Sequence, residues 1–296
     1  KHNLIKGGSW ISTGNETLAA SRYAFRRHFY QHAGFRYIVS HKPEKPGVAF
    51  NKFETSKDIC QQLQCYFADS ALGYENYGQQ IAKQVIKLIN AEGVTSDRLL
   101  NVGCSVGRVA FELSQSFQHI DAVDFSARTI QHGVQLQAAG SVRYTSTIEG
   151  DICQYHEITL ANSVPQANNT RILFSQADGC NLKENFNHYN VIIIQHALEQ
   201  SYDPKQLLAN AISRLNPSGL LIVISDYNYQ LQITEKAKWL SGVKVNGENL
   251  SGFDALTYQL SSDFELITRK ELTRVTAESA RNFSLAHCEF SAWRAK

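Results

Sequence analysis

The sequence predicts an α/β protein whose mostly parallel sheet is flanked by helices, and three observations predict it. From residue 98 onward, short apolar runs alternate with stretches of helical period. The runs "RLLNV", "HIDAVDF", "RILFSQAD" and "YNVIIIQ" each end in a polar or turn-forming residue, and helical patterns separate them, as in βαβ units. The run "VIIIQ" is apolar enough to be covered on both faces, which is the condition of a parallel strand.

Taken in order, residues 1–40 differ in kind from the rest. They interleave Arg22, Arg26, Arg27 and Arg36 with Tyr23, Phe25, Phe29, Tyr30, Phe35 and Tyr37. Such aromatics suit packing on a neighbouring domain; gripping phosphate and stacking on bases is the other reading. A linker over 41–55 follows, opening with the prolines and charges of "HKPEKPG". Residues 56–92 are helical by period, with Ile81, Val85, Leu88 and Ile89 on one face and the tyrosine-rich "CYFADSALGYENYG" between two helical stretches. "RLLNV" is a strand, and "RVAFELSQSF" puts Val109, Leu113 and Phe117 on one helical face. After the strand "HIDAVDF", Ser126 caps a helix that Gly140 stops. Residues 141–170 form an insertion with a hairpin. "RILFSQAD" and "YNVIIIQ" are the third and fourth strands. Asp203 and Pro204 then open a helix whose buried stripe is Leu208, Ala211, Ile212 and Leu215. "NPSGLLIVISDY" is a turn and a fifth strand; "FELITRKEL" and "LAHCEFSAWRA" are two more, separated by a longer connection.

Composition narrows the function. The 296 residues are 43% hydrophobic, enough for a sizeable core. With 29 Lys and Arg against 27 Asp and Glu, there is no global field to attract nucleic acid or an anionic membrane, and neither is expected as a partner. No membrane-spanning run and no signal peptide are expected. The six cysteines form no CxxC pair, so free thiols in a reducing cytoplasm are expected and no metal. The chain begins at Lys1 and contains no methionine; a piece of a longer protein is expected.

The chemistry centres on "LLNVGCSVGR". A strand, a glycine turn and a helix bring backbone N–H groups to the carboxyl edge of a parallel sheet, where such folds bind ligands. No GK[ST] follows, so it is not a phosphate-binding P-loop, and small residues fall at alternate positions, Gly103, Ser105 and Gly107, where a dinucleotide loop has G-x-G-x-x-G. Asp124 ends the next strand where an acid can take both hydroxyls of a ribose, and Asp178 ends the one after. Gln195 and His196 end the fourth, facing the place of a second substrate.

This loop, with Asn101 before it, resembles the first motif of class I S-adenosylmethionine-dependent methyltransferases, usually D/E-x-G-x-G-x-G. The resemblance implies a Rossmann-like class I methyltransferase fold with a seven-stranded, mostly parallel sheet. It implies a cofactor site of Asn101, Gly103, Cys104, Ser105, Gly107 and Arg108 at the loop, Asp124, Phe125 and Ser126 after the second strand, and Asp178, Gly179 and Cys180 after the third, where such enzymes hold the adenine. Gln195 completes it. S-adenosylmethionine is the implied cofactor and S-adenosylhomocysteine its product. The tetrapeptide used on base and glutamine amino groups is absent from "QHALEQ".

A narrower likeness covers nearly the whole chain. "GGSWISTGNE…SRYAFRRHFYQHAGFR", "NVGCSVGRVAFELS", "DAVDFSARTI", "QADGCNL", "RLNPSGLLIVISDYNY" and "ESARNF…FSAW" resemble the bifunctional enzymes of ovothiol biosynthesis. Residues 1–40 then look like the end of a formylglycine-generating-enzyme-like domain, the iron-dependent sulfoxide synthase half, fused to a methyltransferase over 56–296. The implied reaction is methylation of a ring nitrogen of 4-mercaptohistidine, giving ovothiol A. Tyr74, Asn76 and Tyr77 are expected as a lid over the substrate, with Tyr227 and Tyr229 opposite. Arg281 or Arg274 is expected to hold its carboxylate. His196 and Tyr77 are the expected catalytic, substrate-positioning groups. Two alternatives stay open: methylation of another small amine or thiol, and a non-catalytic cofactor-binding scaffold.

Overall fold

The computed structural model describes residues 56–69 and 71–296, together with residues 3–5 and 23–25. The expected domain remnant, 1–40, and linker, 41–55, thus lie outside the described residues except for β1 (Asn3–Ile5) and β2 (Tyr23–Phe25), an antiparallel pair with Leu4 opposite Ala24. The chain divides into two compact units, Lys1–Thr55 and Ser56–Lys296.

The second unit opens with α1 (Ser56–Phe67) and α2 (Tyr77–Glu92). Asn76 caps α2 by accepting from the Gln79 N–H, and Gly93 closes it in the left-handed conformation. The alternation then runs β3 (Arg98–Val102), α3 (Arg108–Leu113), β4 (His119–Asp124) and α4 (Ala127–Ala139). The insertion is the hairpin β5 (Ser141–Glu149) and β6 (Ile152–Thr159), followed by the short α5 (Leu160–Ser163). Next come β7 (Ile172–Gln176), β8 (Tyr189–Gln195), α6 (Pro204–Ile212) and β9 (Leu215–Ser225). The chain ends with a small hairpin, β10 (Val243–Val245) and β11 (Glu248–Leu250), then α7 (Gly252–Leu260), β12 (Phe264–Ala277) and β13 (Phe283–Ala295).

Seven strands form one sheet in the order β12-β13-β9-β8-β3-β4-β7. Only β13 runs against the others, since it pairs antiparallel with both β9 and β12. Side chains alternate between two cores, as the pleat requires. Leu99, Val191, Ile193, Leu220 and Ile222 join α1 to α4 on one face. Leu100, Ile192, Ile194, Leu221 and Val223 join α6 and α7 on the other. Among the described residues, no helix is long and apolar enough to cross a membrane.

From β3 the chain proceeds outward through β4 to β7, then returns to β8 on the opposite side of β3 and builds toward β9. The reversal opens a crevice at the carboxyl ends of β3 and β8. It puts the ends of β3, β4, β7, β8 and β9 on one edge.

The local structure departs from expectation at three places. α3 stops at Leu113, so Phe117 reaches the core from a turn, because the Ser114 hydroxyl donates to the Phe111 carbonyl and accepts from the Asn168 N–H. The last two strands are one long hairpin, joined by residues 278–282 in place of the expected long connection. Leu215 opens β9 instead of extending the α6 stripe, which comprises Leu207, Leu208 and Ala211.

Candidate active site

The glycine loop is tied to the next strand. The Gly103 and Cys104 N–H groups both donate to the Val123 carbonyl, at 2.8 and 3.0 Å. Gly103 has φ +79°, and a Cβ there would lie 2.3 Å from the Gln195 carbonyl oxygen, so glycine is required by space as well as by conformation. Gly107 and Ser105 also have positive φ, which turns the chain sharply into α3. The Ser105 hydroxyl donates to Gln62 of α1, fastening the first helix across the loop.

Asp124 spans the two turns beside it. One carboxylate oxygen accepts from the Ser105 N–H and the other from the Ser126 N–H, both at 2.9 Å. Burial raises its carboxyl above the usual carboxylate range, against the pull of those two donors and of the Thr129 side chain. Phe125, the next residue, keeps 45% of its surface exposed. Asp178 accepts from the Cys180 N–H and the Tyr202 hydroxyl, each at 2.9 Å. Asn101 is wholly buried at the end of β3, and neither its amide oxygen nor its amide nitrogen has a hydrogen-bond partner within the protein.

Other expected cofactor residues have duties within the fold. The Arg108 guanidinium is turned to Glu112, the Ser163 carbonyl and the Phe67 ring, which corrects its assignment to the cofactor. Cys104 and Cys180 are buried under their loops. Gly179 faces Leu207 and Val102, and Ser126 caps α4.

At the ends of β8 and β9 lies a chain of buried polar groups. The Tyr77 hydroxyl meets His196 Nε2 at 2.7 Å, and His196 Nδ1 meets Glu199 Oε1 at 2.8 Å. The second Glu199 oxygen accepts from the Ser225 hydroxyl at 2.7 Å, and the Ser225 oxygen accepts from the Tyr227 N–H. His196 is held in the left-handed region, φ +52°, by its N–H donating to the Ile224 carbonyl. Burial alone would lower its pKa. Hydrogen bonds to Cys288 and Glu199 and the Glu199 charge outweigh burial and bring it up to about 9. Burial also drives the Tyr77 hydroxyl well above its usual range. Gln195, the last residue of β8, donates to the Tyr66 hydroxyl at 2.8 Å.

Arg274 of β12 and Asp226 pair beside this chain at 2.8 Å. The side-chain tips of His196, Asp226 and Cys288 lie within 4.8 Å of one another. The Arg274 guanidinium already balances the Asp226 charge. Arg274 is therefore the arginine at the site; Arg281, in the exposed turn between β12 and β13, is not, which corrects the first of the two expected carboxylate partners.

The expected lid divides in the same way. Tyr77 belongs to the site. Asn76 caps α2 and donates to the Ala68 carbonyl, while Tyr74 is exposed. The Tyr227 hydroxyl is turned to Glu289, and Tyr229 stacks on Trp239, so neither ring faces Tyr77 across the site. Tyr66, Glu199, Asp226 and Cys288 escaped sequence reasoning. Glu199, three residues after His196, had a local signal; the others reach the site from α1, the end of β9 and β13 by tertiary packing alone.

A family model described as a methyltransferase domain matches residues 74–260. Three distant structural likenesses stand beside it. The N-methyltransferase NodS from Bradyrhizobium japonicum WM9, in complex with S-adenosyl-L-homocysteine, is 15% identical, with a TM-score of 0.46 over 80% of this chain and 98% of that one. A SAM-dependent methyltransferase from Methanosarcina mazei is 13% identical, with a TM-score of 0.47 over 70% and 96%. Magnesium protoporphyrin IX methyltransferase from Synechocystis PCC 6803, with bound SAH, is 13% identical, with a TM-score of 0.46 over 79% and 93%. No curated protein matches the chain.

Proposed function

Since the chain belongs to the methyltransferase-domain family, we propose that it transfers a methyl group from S-adenosylmethionine to a ring nitrogen of 4-mercaptohistidine, giving ovothiol A. The observation that carries the methyltransferase reading is the convergence of the Gly103 loop, Asp124 and Asp178 on the carboxyl edge at the crevice. The acceptor is supported by the sequence resemblance to the ovothiol enzymes. A buried imidazole and a paired arginine beside the crevice suit a small zwitterionic ligand.

The residues present fit the cofactor. The Asn101 amide has a free donor and a free acceptor at the end of β3. Each Asp124 oxygen holds one backbone donor, which leaves lone pairs for two hydroxyls. The exposed Phe125 ring offers an apolar face beside it. When bound, S-adenosylmethionine supplies a methyl group on a positively charged sulfur. The chain's part is to align the acceptor and exclude water. The loop lets the backbone approach closely at Gly103, α1 covers it through Gln62 and Ser105, and Arg274, held by Asp226, is the cation beside the site that an amino-acid carboxylate would join. In the longer protein that the resemblance implies, this unit works joined to the iron-dependent sulfoxide synthase.

The test is mass spectrometry of the full chain with S-adenosylmethionine and 4-mercaptohistidine, with histidine and cysteine as decoys. A gain of one methyl on the thiol-histidine alone, lost in Asp124→Ala, is the expected result. A gain on a decoy redirects the acceptor. Binding of S-adenosylhomocysteine with no transfer to any of them leaves a scaffold.

A further inference from the structure

We propose that Glu199 is a positioning residue for methyl transfer, acting through His196 so that His196 and Tyr77 form a relay that takes the acceptor's ring proton. The inference rests on the reading of the acceptor as an imidazole. It comes from the geometry of the buried chain, in which four side chains from α2, the turn after β8 and the end of β9 connect in series.

Methylating a neutral imidazole on one nitrogen leaves the other with a proton to lose. The carbon–nitrogen bond forms with the ring's lone pair, and the carbon–sulfur bond breaks with its electrons going to sulfur. The ring proton must then pass to a base. With His196 neutral, the Nδ1 proton is held by Glu199, and Nε2 accepts from the Tyr77 hydroxyl. The Tyr77 oxygen keeps a lone pair for the acceptor's N–H. Transfer of that proton to Tyr77, with the tyrosine proton moving to Nε2, leaves His196 as an imidazolium beside the Glu199 carboxylate. The buried carboxylate stabilises that product, and Ser225 fixes its second oxygen.

The arrangement is unlike a structural pairing at three points. Glu199 is only 1% exposed, and one carboxylate oxygen meets His196 while the other is held by Ser225. The histidine backbone is in the left-handed region, a costly conformation for this residue that the Ile224 bond enforces. The chain ends at the carboxyl edge, beside Gln195. The groups that face His196 from surrounding elements are Tyr77 and Tyr66 of the first two helices, Asp226 after β9, Arg274 of β12 and Cys288 of β13. The Cys288 thiol favours protonation of His196 and the Arg274 charge opposes it, and Glu199 is the buried carboxylate that meets the ring directly, at 2.8 Å.

The experiment compares the full chain with Glu199→Gln and Tyr77→Phe in two readouts. The first is a titration of His196 by NMR in protein labelled at histidine carbon, with His196→Gln assigning the signal. In the wild type His196 titrates at about 9, and Glu199→Gln brings it down toward 6.5. The second is kcat/KM against pH with 4-mercaptohistidine. The wild type rises up to about pH 9; Glu199→Gln loses roughly tenfold to a hundredfold at the plateau while its rise moves to lower pH. Tyr77→Phe loses a comparable factor in kcat with the His196 titration still in place. A His196 titration that Glu199→Gln leaves unmoved overturns the relay, as does a wild-type profile that is flat or falls toward pH 9. Absence of transfer to 4-mercaptohistidine in the wild type overturns the acceptor assignment instead, and the NMR titration still judges the link between Glu199 and His196. Binding of S-adenosylhomocysteine by each variant checks that it is folded.

Discussion

His196 and Gly103 show how single residues bind function to stability at this site. The pKa of His196 is raised from 6.5 to about 9 in the folded chain, so its pairing with Cys288 and Glu199 stabilises the fold fully below pH 6.5. That contribution is lost as pH rises through about 9, the sign expected for a base that gains a partner. Chemical denaturation across this window should show stability falling in the wild type and a smaller fall in His196→Gln. Gly103 is governed by space. Its φ of +79° and the Gln195 carbonyl, 2.3 Å from where an alanine methyl would sit, leave no room for Ala, and both constraints are set by backbone. Gly103→Ala should cost about 3 kcal/mol and abolish cofactor binding, checked by urea unfolding and by calorimetric titration with S-adenosylhomocysteine.

At the scale of elements, caps and hairpins decide how the site is enclosed. Asn76 serves both ends of the α1–α2 connection, accepting from Gln79 and donating to Ala68. Asn76→Ala should destabilise the chain by about 1 kcal/mol, and because Tyr77 is the first residue of α2, it should also weaken kcat, read by thermal melts beside the methylation assay. β12 and β13 extend past the end of β9, since Ser225 pairs with Glu289 and β13 begins at Phe283. The turn joining them reaches the insertion hairpin, where the Ala280 N–H donates to the Thr147 carbonyl. This explains why Cys288 and Arg274 stand at the carboxyl edge although they belong to strands at the sheet's far side. α3, and α4 and α6 with their caps, were legible because caps and apolar periods are local properties. The β10–β11 hairpin was not, because strands of three residues carry no apolar period; α7 had a local signal that was missed, its Ser251 cap and its buried Ala255, Leu256 and Leu260.

At the scale of the whole Ser56–Lys296 unit, one sheet with a core on each face supplies the rigid platform and the loops at one edge supply the chemistry. Hydrogen exchange should be slowest at the central strands, Leu99–Val102 and Ile192–Ile194, which are paired on both sides and buried. It should be fastest at the hairpin turns, Gly150–Asp151 and Asn246–Gly247; uniform exchange across these segments would contradict the two-core description.

The sequence by itself determined the α/β class, the order of the strands along the chain, and the strand-end positions of Gly103, Asp124, Asp178 and His196. These follow from hydrophobic period and turn chemistry, which act between residues a few positions apart. Only the tertiary structure decided which strands are neighbours, that Arg274 and not Arg281 stands at the site, and that Arg108 is turned to Glu112. It alone joined Tyr77, His196, Glu199 and Ser225 into one chain. The reason is physical: hydrogen bonds between side chains far apart in sequence form only after burial has fixed the elements that carry them, and no local pattern records that choice.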